Sequence, residues 1–142
     1  MITLKAALLA NLAVTFTLVG LIWTIQVLHY PLFARVGVDA FARFHAEHSA
    51  RITVLVGPLM CAEVACAAWL VASTPPGARA WAWAAAACVA VTWLDTGLRA
   101  VPLHERLAAG LDPLLVDALV RVNLVRALAW TLRGALLVRM AL

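Results

Sequence analysis

Apolar residues fall in four long blocks, at about 4–30, 52–73, 80–101 and 113–141, separated by short stretches of polar or turn-forming residues. Each block is long enough to be a membrane-spanning helix. In the first, Asn11, Thr15, Val19, Ile22, Gln26 and His29 recur at spacings of three and four, so its polar residues share one face. Pro31 is expected to end that helix, and Gly37 breaks the connection that follows. Asp39 is placed to cap a second helix reaching Ser73. The opening part of that helix, 39–51, reads as interfacial, and Gly57-Pro58 should kink the spanning part. STPPGAR, residues 73–79, is a turn. Cys88, Thr92, Asp95 and Arg99 form the polar stripe of the third block, which Pro102 bends or ends. A short interfacial piece follows and closes at Gly110. Asp112-Pro113 is a cap and first-turn pair for the fourth block, whose polar stripe is Asn123, Arg126, Trp130 and Arg133.

Four helices with short connections predict an all-α, up-down-up-down four-helix bundle, one domain over residues 1–142. Composition places it in lipid. The chain is 65% hydrophobic and 13% charged, against about 25% charged in soluble domains. The expectation is an integral membrane protein with lipid and a lipophilic small molecule as partners. The net charge of +4 fits anionic lipid. There is no nucleic-acid motif, glycine-rich nucleotide loop, nucleophile elbow or Cys-x-x-Cys pair. Cys61, Cys66 and Cys88 lie within apolar blocks and read as small packing residues. The positive-inside count ties, with Arg35, Arg43 and Arg106 facing Lys5, Arg79 and Arg139. The orientation carried forward has both termini in the cytoplasm. Oligomeric state is left open.

Alternating the direction of the spans gathers chemistry at one face. His29, His45, His48 and His104 all fall there, from three blocks. Tyr30, Gln26, Arg51, Asp95, Arg99 and Asn123 lie in the same half. His45 and His48, at i and i+3, turn toward one side of a helix and are candidate ligands of a transition metal completed by His29 or His104. The bland alternative is that interfacial histidines sit in the headgroup layer. A b-type haem would use the same residues. It ranks below a non-haem metal because His45 and His48 stand near the rim. Glu63 and Arg126 sit at similar depth and are expected to pair, Glu63 otherwise serving as a proton carrier. Asp95 and Arg99 are expected to pair at i and i+4, with Asp95 a candidate general base beside Tyr30. Gln26, Arg51, Arg99, Asn123 and Arg126 are the candidate substrate-binding residues.

The runs WTIQVLHYPLF, FHAEHSARI, VGPLMCAE, VPLHERLAAGLD and NLVRALAWTLR cover most of the chain as a set of blocks. In them the chain resembles a group of uncharacterised bacterial four-helix membrane proteins. More distantly, it is similar to the small membrane proteins grouped with anthrone oxygenases. The resemblance implies a bacterial inner-membrane location and assigns no catalytic residue.

These readings converge on a small membrane enzyme acting on a lipophilic or quinone-like substrate, with redox or oxygenase chemistry at a histidine-bound metal. Two alternatives stand beside it. One is a non-catalytic binder or carrier that holds an anionic group with Arg51, Arg99 and Arg126. The other is an assembly subunit without a site of its own.

Overall fold

The computed structural model describes residues 2–142, with side chains from residue 3 onward. Four long helical rods account for nearly all of it, and the described residues contain no strand. Helix α1 runs Ile2–Thr24 and continues through a π-helical turn, Ile25–His29, into one further turn, Tyr30–Phe33. Helix α2 is Val38–Ser73. After a 3₁₀ turn at Pro76–Ala78 comes α3, Arg79–Asp95, which passes through a second π-helical turn, Thr96–Ala100, into Val101–Leu107. Helix α4 is Pro113–Ala141.

Two prolines behave differently from the sequence expectation. Pro31 does not end α1, and α3 runs on past Pro102 to Leu107. A proline ring presses on the carbonyl four residues back and offers that carbonyl no N–H. For Pro31 that carbonyl is Val27, and for Pro102 it is Leu98; each lies inside a π-helical turn. Within these turns the bonding widens by one residue. The Tyr30 N–H donates to the Ile25 carbonyl, and the Val101 N–H to the Thr96 carbonyl. The wider turn absorbs the proline and keeps the rod continuous. It also rotates the residues beyond it, which include Tyr30 and His104.

The helix ends follow local chemistry. The Asp112 carboxylate accepts from the Leu114 and Leu115 N–H groups at 2.9 and 3.4 Å, capping α4. Gly110 adopts φ 145°, a region that favours glycine, where the chain turns from α3 toward α4. Asp39 is not the cap of α2. Gly37 takes that position, and Asp39 lies in the first turn, where its charge still suits the helix dipole.

Helix α4 packs against α1 and α3, and α2 against α1 and α3. The interior is layered. At one end Tyr30, Phe33, Phe41, Leu107, Val116 and Leu119 pack together. In the middle are Leu18, Ile22, Met60, Ala127 and Trp130. At the other end are Ala7, Leu70, Ala82, Ala85 and Leu137. Outward faces are apolar too: Val54, Leu94, Leu98, Leu128 and Leu132 are all exposed. Three of the rods, Thr3–Phe33, Val38–Ser73 and Pro76–Leu107, are long and apolar enough to cross a membrane. In their most apolar windows no more than 33% of residues are buried, so the hydrocarbon faces outward.

The ion pair between α2 and α4 differs from expectation. Glu63 pairs with Arg133, at 2.9 Å with both side chains fully buried, and not with Arg126. The pair sits in a polar knot. Trp130 Nε1 donates to Glu63 Oε2 at 2.8 Å, and the Thr15 hydroxyl reaches Glu63 Oε1 at 3.4 Å. Arg133 donates to Thr15, to the Ala85 carbonyl and to Asn11 Oδ1. Asn11 donates onward to the Cys66 carbonyl. All four rods are tied together here, and every charged oxygen and nitrogen has a partner.

Candidate functional site

The four histidines converge at one end of the bundle: His29 closes the first π-helical turn, His45 and His48 are on α2, and His104 follows the second π-helical turn. His29 and His48 are joined through Nε2 and Nδ1 at 2.8 Å, and His45 and His104 through Nε2 and Nδ1 at 3.0 Å. The other ring nitrogen of His104, Nε2, meets the Tyr30 hydroxyl at 3.0 Å. The His48 and His104 rings stack with centroids 5.7 Å apart. Phe33, Phe41 and Phe44 pack around the group; Phe33 lies edge-on to His48 and Phe41 stacks on His45. Each N···N bond needs one ring to donate and the other to accept, so at least one imidazole of each pair is neutral.

Below the histidines, toward the middle of the bundle, lies a cavity of about 380 Å³. Its walls are hydrocarbon: Leu18, Ile22, Ile25, Val56, Met60 and Trp130 among others. Its few polar groups are Tyr30, His104, Arg126, Thr53 and Thr96. A mostly apolar cavity with a few convergent polar groups is the common form of a small-molecule site. His45 and His104 also border a second, more open groove beside Ser49 and Glu105, which adjoins the cavity at Ile52, Thr53 and Val101. Tyr30, His104 and His45 form a hydrogen-bonded line that starts at the cavity and ends at His45, whose Nδ1 is buried without a partner.

A second polar line runs along the cavity wall. Asn123 donates to Gln26 Oε1 at 2.8 Å and accepts from Arg126 Nη2 at 2.6 Å, and Arg126 Nη1 donates to the Thr96 hydroxyl at 3.2 Å. Asn123 and Arg126 are buried, and Gln26 is half-buried.

The remaining candidate residues lie elsewhere. Asp95 is buried and pairs with Arg99 at 2.8 Å, but neither borders the cavity. Arg51 is exposed, on an outer groove with His29, Glu47 and His48. Glu63 belongs to the polar knot and reaches the cavity only through Trp130. Thr96, Met60 and Trp130 border the cavity, and the sequence reading gave none of them a binding role. Thr96 lies one residue beyond Asp95, off the stripe that periodicity singled out. The π-helical turn at Thr96–Ala100 interrupts that periodicity.

Among the described residues, no three His, Cys, Asp or Glu side chains are grouped so as to hold a metal ion. Both nitrogens of His104 are committed, and His29 Nε2 is bonded to His48. Of the ring nitrogens, His45 Nδ1 and His48 Nε2 are buried without a partner.

Fold and site together define a small apolar-surfaced helical protein with a partly open cavity between its rods, bordered by hydrogen-bonded Tyr30 and His104. Compared with protein-family models, curated proteins and solved structures, the chain matches none of them.

Proposed function

We propose that the protein is an integral membrane enzyme of the bacterial inner membrane, an up-down-up-down bundle that binds a lipophilic, quinone-like molecule in the central cavity. The observation that carries the reading is the hydrogen-bonded line Tyr30–His104–His45, which runs from the cavity into the buried histidine cluster. The apolar outward faces of the three long rods support the membrane setting. Burial of an aromatic substrate against Ile22, Met60 and Trp130 supplies affinity, at about 25 cal/mol per Å² of apolar surface.

Tyr30 supplies the chemistry at the substrate. Its hydroxyl donates a proton to, or takes one from, a substrate oxygen. His104 exchanges that proton at Nε2 and passes another at Nδ1 to His45. Each neutral imidazole accepts at one nitrogen and donates at the other, so the line can transmit a proton without moving a heavy atom far. Gain or loss of a proton at oxygen is the step shared by quinone reduction and hydroxyarene oxidation. The mostly apolar walls of the cavity favour a lipophilic substrate, and the relay receives or supplies the proton from the buried histidine cluster.

Binding is testable without knowing the natural substrate. A neutral probe, 2-methoxy-1,4-naphthoquinone, is titrated into the protein in nanodiscs, with quenching of tryptophan emission as the readout. Saturable binding is expected in the parent. Gly57 borders the cavity, and a Cβ added there has no atom within 4 Å. Gly57→Leu should therefore fold and reduce probe binding by about tenfold or more, the loss of roughly one buried side chain's worth of contact. Non-saturable quenching, equal in both proteins, would mean simple partition into lipid and would remove the proposal.

A further inference from the structure

The two arginines of α4 that are buried in the bundle are treated very differently. Arg133 has a carboxylate, Glu63, and a hydrogen-bond partner for each of its nitrogens. Arg126, two turns earlier on the same helix, has no carboxylate within ion-pair distance among the described residues. The ion pairs there are Arg43–Glu47, Arg99–Asp95 and Arg133–Glu63. Of the two buried acids, Glu63 is taken by Arg133, and Asp95 pairs through Oδ1 with Arg99 while its Oδ2 is buried without a partner. Arg126 has only neutral neighbours, with hydrogen bonds to Asn123 and Thr96 and the Tyr30 hydroxyl close by, and no protein group bonds its buried Nε.

A guanidinium that is 6% exposed and lacks a counter-ion is costly in a low-dielectric setting. Such a charge persists where something else supplies the negative partner. Arg126 borders the central cavity, beside Tyr30 and Thr96. The missing partner therefore has one place to sit.

We infer that the cavity ligand is an organic anion: an apolar body with one negatively charged oxygen group, which Arg126 binds. This rests on the proposed function and narrows its substrate from lipophilic molecules in general to lipophilic acids. Three further features fit. Asn123, itself donating to Gln26, accepts from Arg126 Nη2, and the Thr96 hydroxyl accepts from Nη1, so the guanidinium is oriented before a ligand arrives. The orphan Nε offers a donor that no protein group uses. The Tyr30 hydroxyl lies on the same cavity, so an oxyanion held by Arg126 sits within the relay's working range. An ionised phenol or enol meets this description, and so does a carboxylate.

The test compares ligands that differ in charge. 2-Hydroxy-1,4-naphthoquinone is an anion at neutral pH, and its methyl ether is neutral with the same rings. A second pair, 9-anthracenecarboxylate and 9-anthracenemethanol, separates carboxylate from enolate recognition. Binding to the parent in nanodiscs of neutral lipid is measured for all four by tryptophan quenching. At least one anion is expected to bind about ten- to a hundredfold more tightly than its neutral partner, the range for a hydrogen bond to a charged group. Arg126→Gln should abolish that difference and leave the neutral probes unchanged, while Arg126→Lys should keep part of it. Equal affinities within both pairs in the parent would overturn the inference while leaving the cavity reading intact. That comparison uses only the parent protein and stands even where Arg126→Gln fails to fold. Equal weakening of anion and neutral probe in a folded Arg126→Gln would also overturn it. Saturable binding of none of the four would overturn the inference and the proposed function together.

Discussion

Replacing Glu63 by glutamine is expected to lower the stability of the bundle by about 3–5 kcal/mol, because it strands the fully buried Arg133 guanidinium. Glutamine keeps the shape and one oxygen, so packing changes little. What goes is the negative charge, in a knot that also holds Thr15, Asn11 and Trp130. Arg133→Met should be similarly damaging, since it leaves the Glu63 carboxylate alone. The double variant Glu63→Leu with Arg133→Met should recover much of the loss, because a buried pair is often replaceable by apolar side chains of similar volume. Equilibrium unfolding in detergent measures all three. Equal stability of parent and Glu63→Gln would show that the ion pair contributes nothing.

The second large effect is expected at His104, where one side chain serves two partners. His104→Leu leaves the Tyr30 hydroxyl and His45 Nε2 without their hydrogen bonds. Both residues are 2% exposed, so water does not replace what is lost. Each stranded group costs about 1–3 kcal/mol. The relay is also cut, and loss of a positioned proton-transfer group lowers turnover by about 10²–10⁴-fold. Tyr30→Phe should lower turnover of a bound quinol to a similar degree while changing its affinity little, since the ring remains. The readout is quinol absorbance after mixing with ferricyanide, a one-electron oxidant of which two equivalents take the two electrons while Tyr30 takes a hydroxyl proton, in protein confirmed to be folded. Parent-like turnover in folded His104→Leu would show that the relay carries no proton.

The case of Glu63 also shows where sequence reading stops. Arg126 and Arg133 are seven residues apart, nearly two full turns, so they share a face of α4 and periodicity cannot separate them. They differ by about 10 Å in depth, at 1.5 Å per residue. Counting residues from an assumed helix start is too coarse to align α2 with α4 at that resolution. The convergence of the histidines was legible for a simpler reason. The expectation of helices alternating in direction brings the ends of α1 and α3 beside the starts of α2 and α4 whatever the exact register. Periodicity also marked Asn11, Thr15, Asn123 and Arg126 as inward, and all four are buried.

The paired bonding of the histidine rings was not legible. Spacing of i and i+3 says that His45 and His48 lean the same way. It does not say that each ring will reach a histidine on another helix: His45 meets His104, and His48 meets His29. The π-helical turns ahead of Pro31 and Pro102 set that geometry by shifting the rotation of everything beyond them. A proline in a helical pattern is normally read as a stop. Here the widened turn lets each rod pass it, and that places Tyr30 and His104 across from one another. The cavity is equally a property of packing, formed by residues from all four rods that no local pattern groups together.

The central claim is that a lipophilic ligand occupies the cavity between the rods and not the lipid-facing surface. Photolabelling tests it most directly. A diazirine-bearing naphthoquinone is irradiated with the protein in nanodiscs, and labelled peptides are mapped by mass spectrometry, with and without excess unlabelled quinone. The account predicts competed labelling at cavity residues such as Met60, Ile25 and Trp130. Labelling confined to outward residues such as Trp83, Leu94 and Leu128, undiminished by competitor, would contradict it.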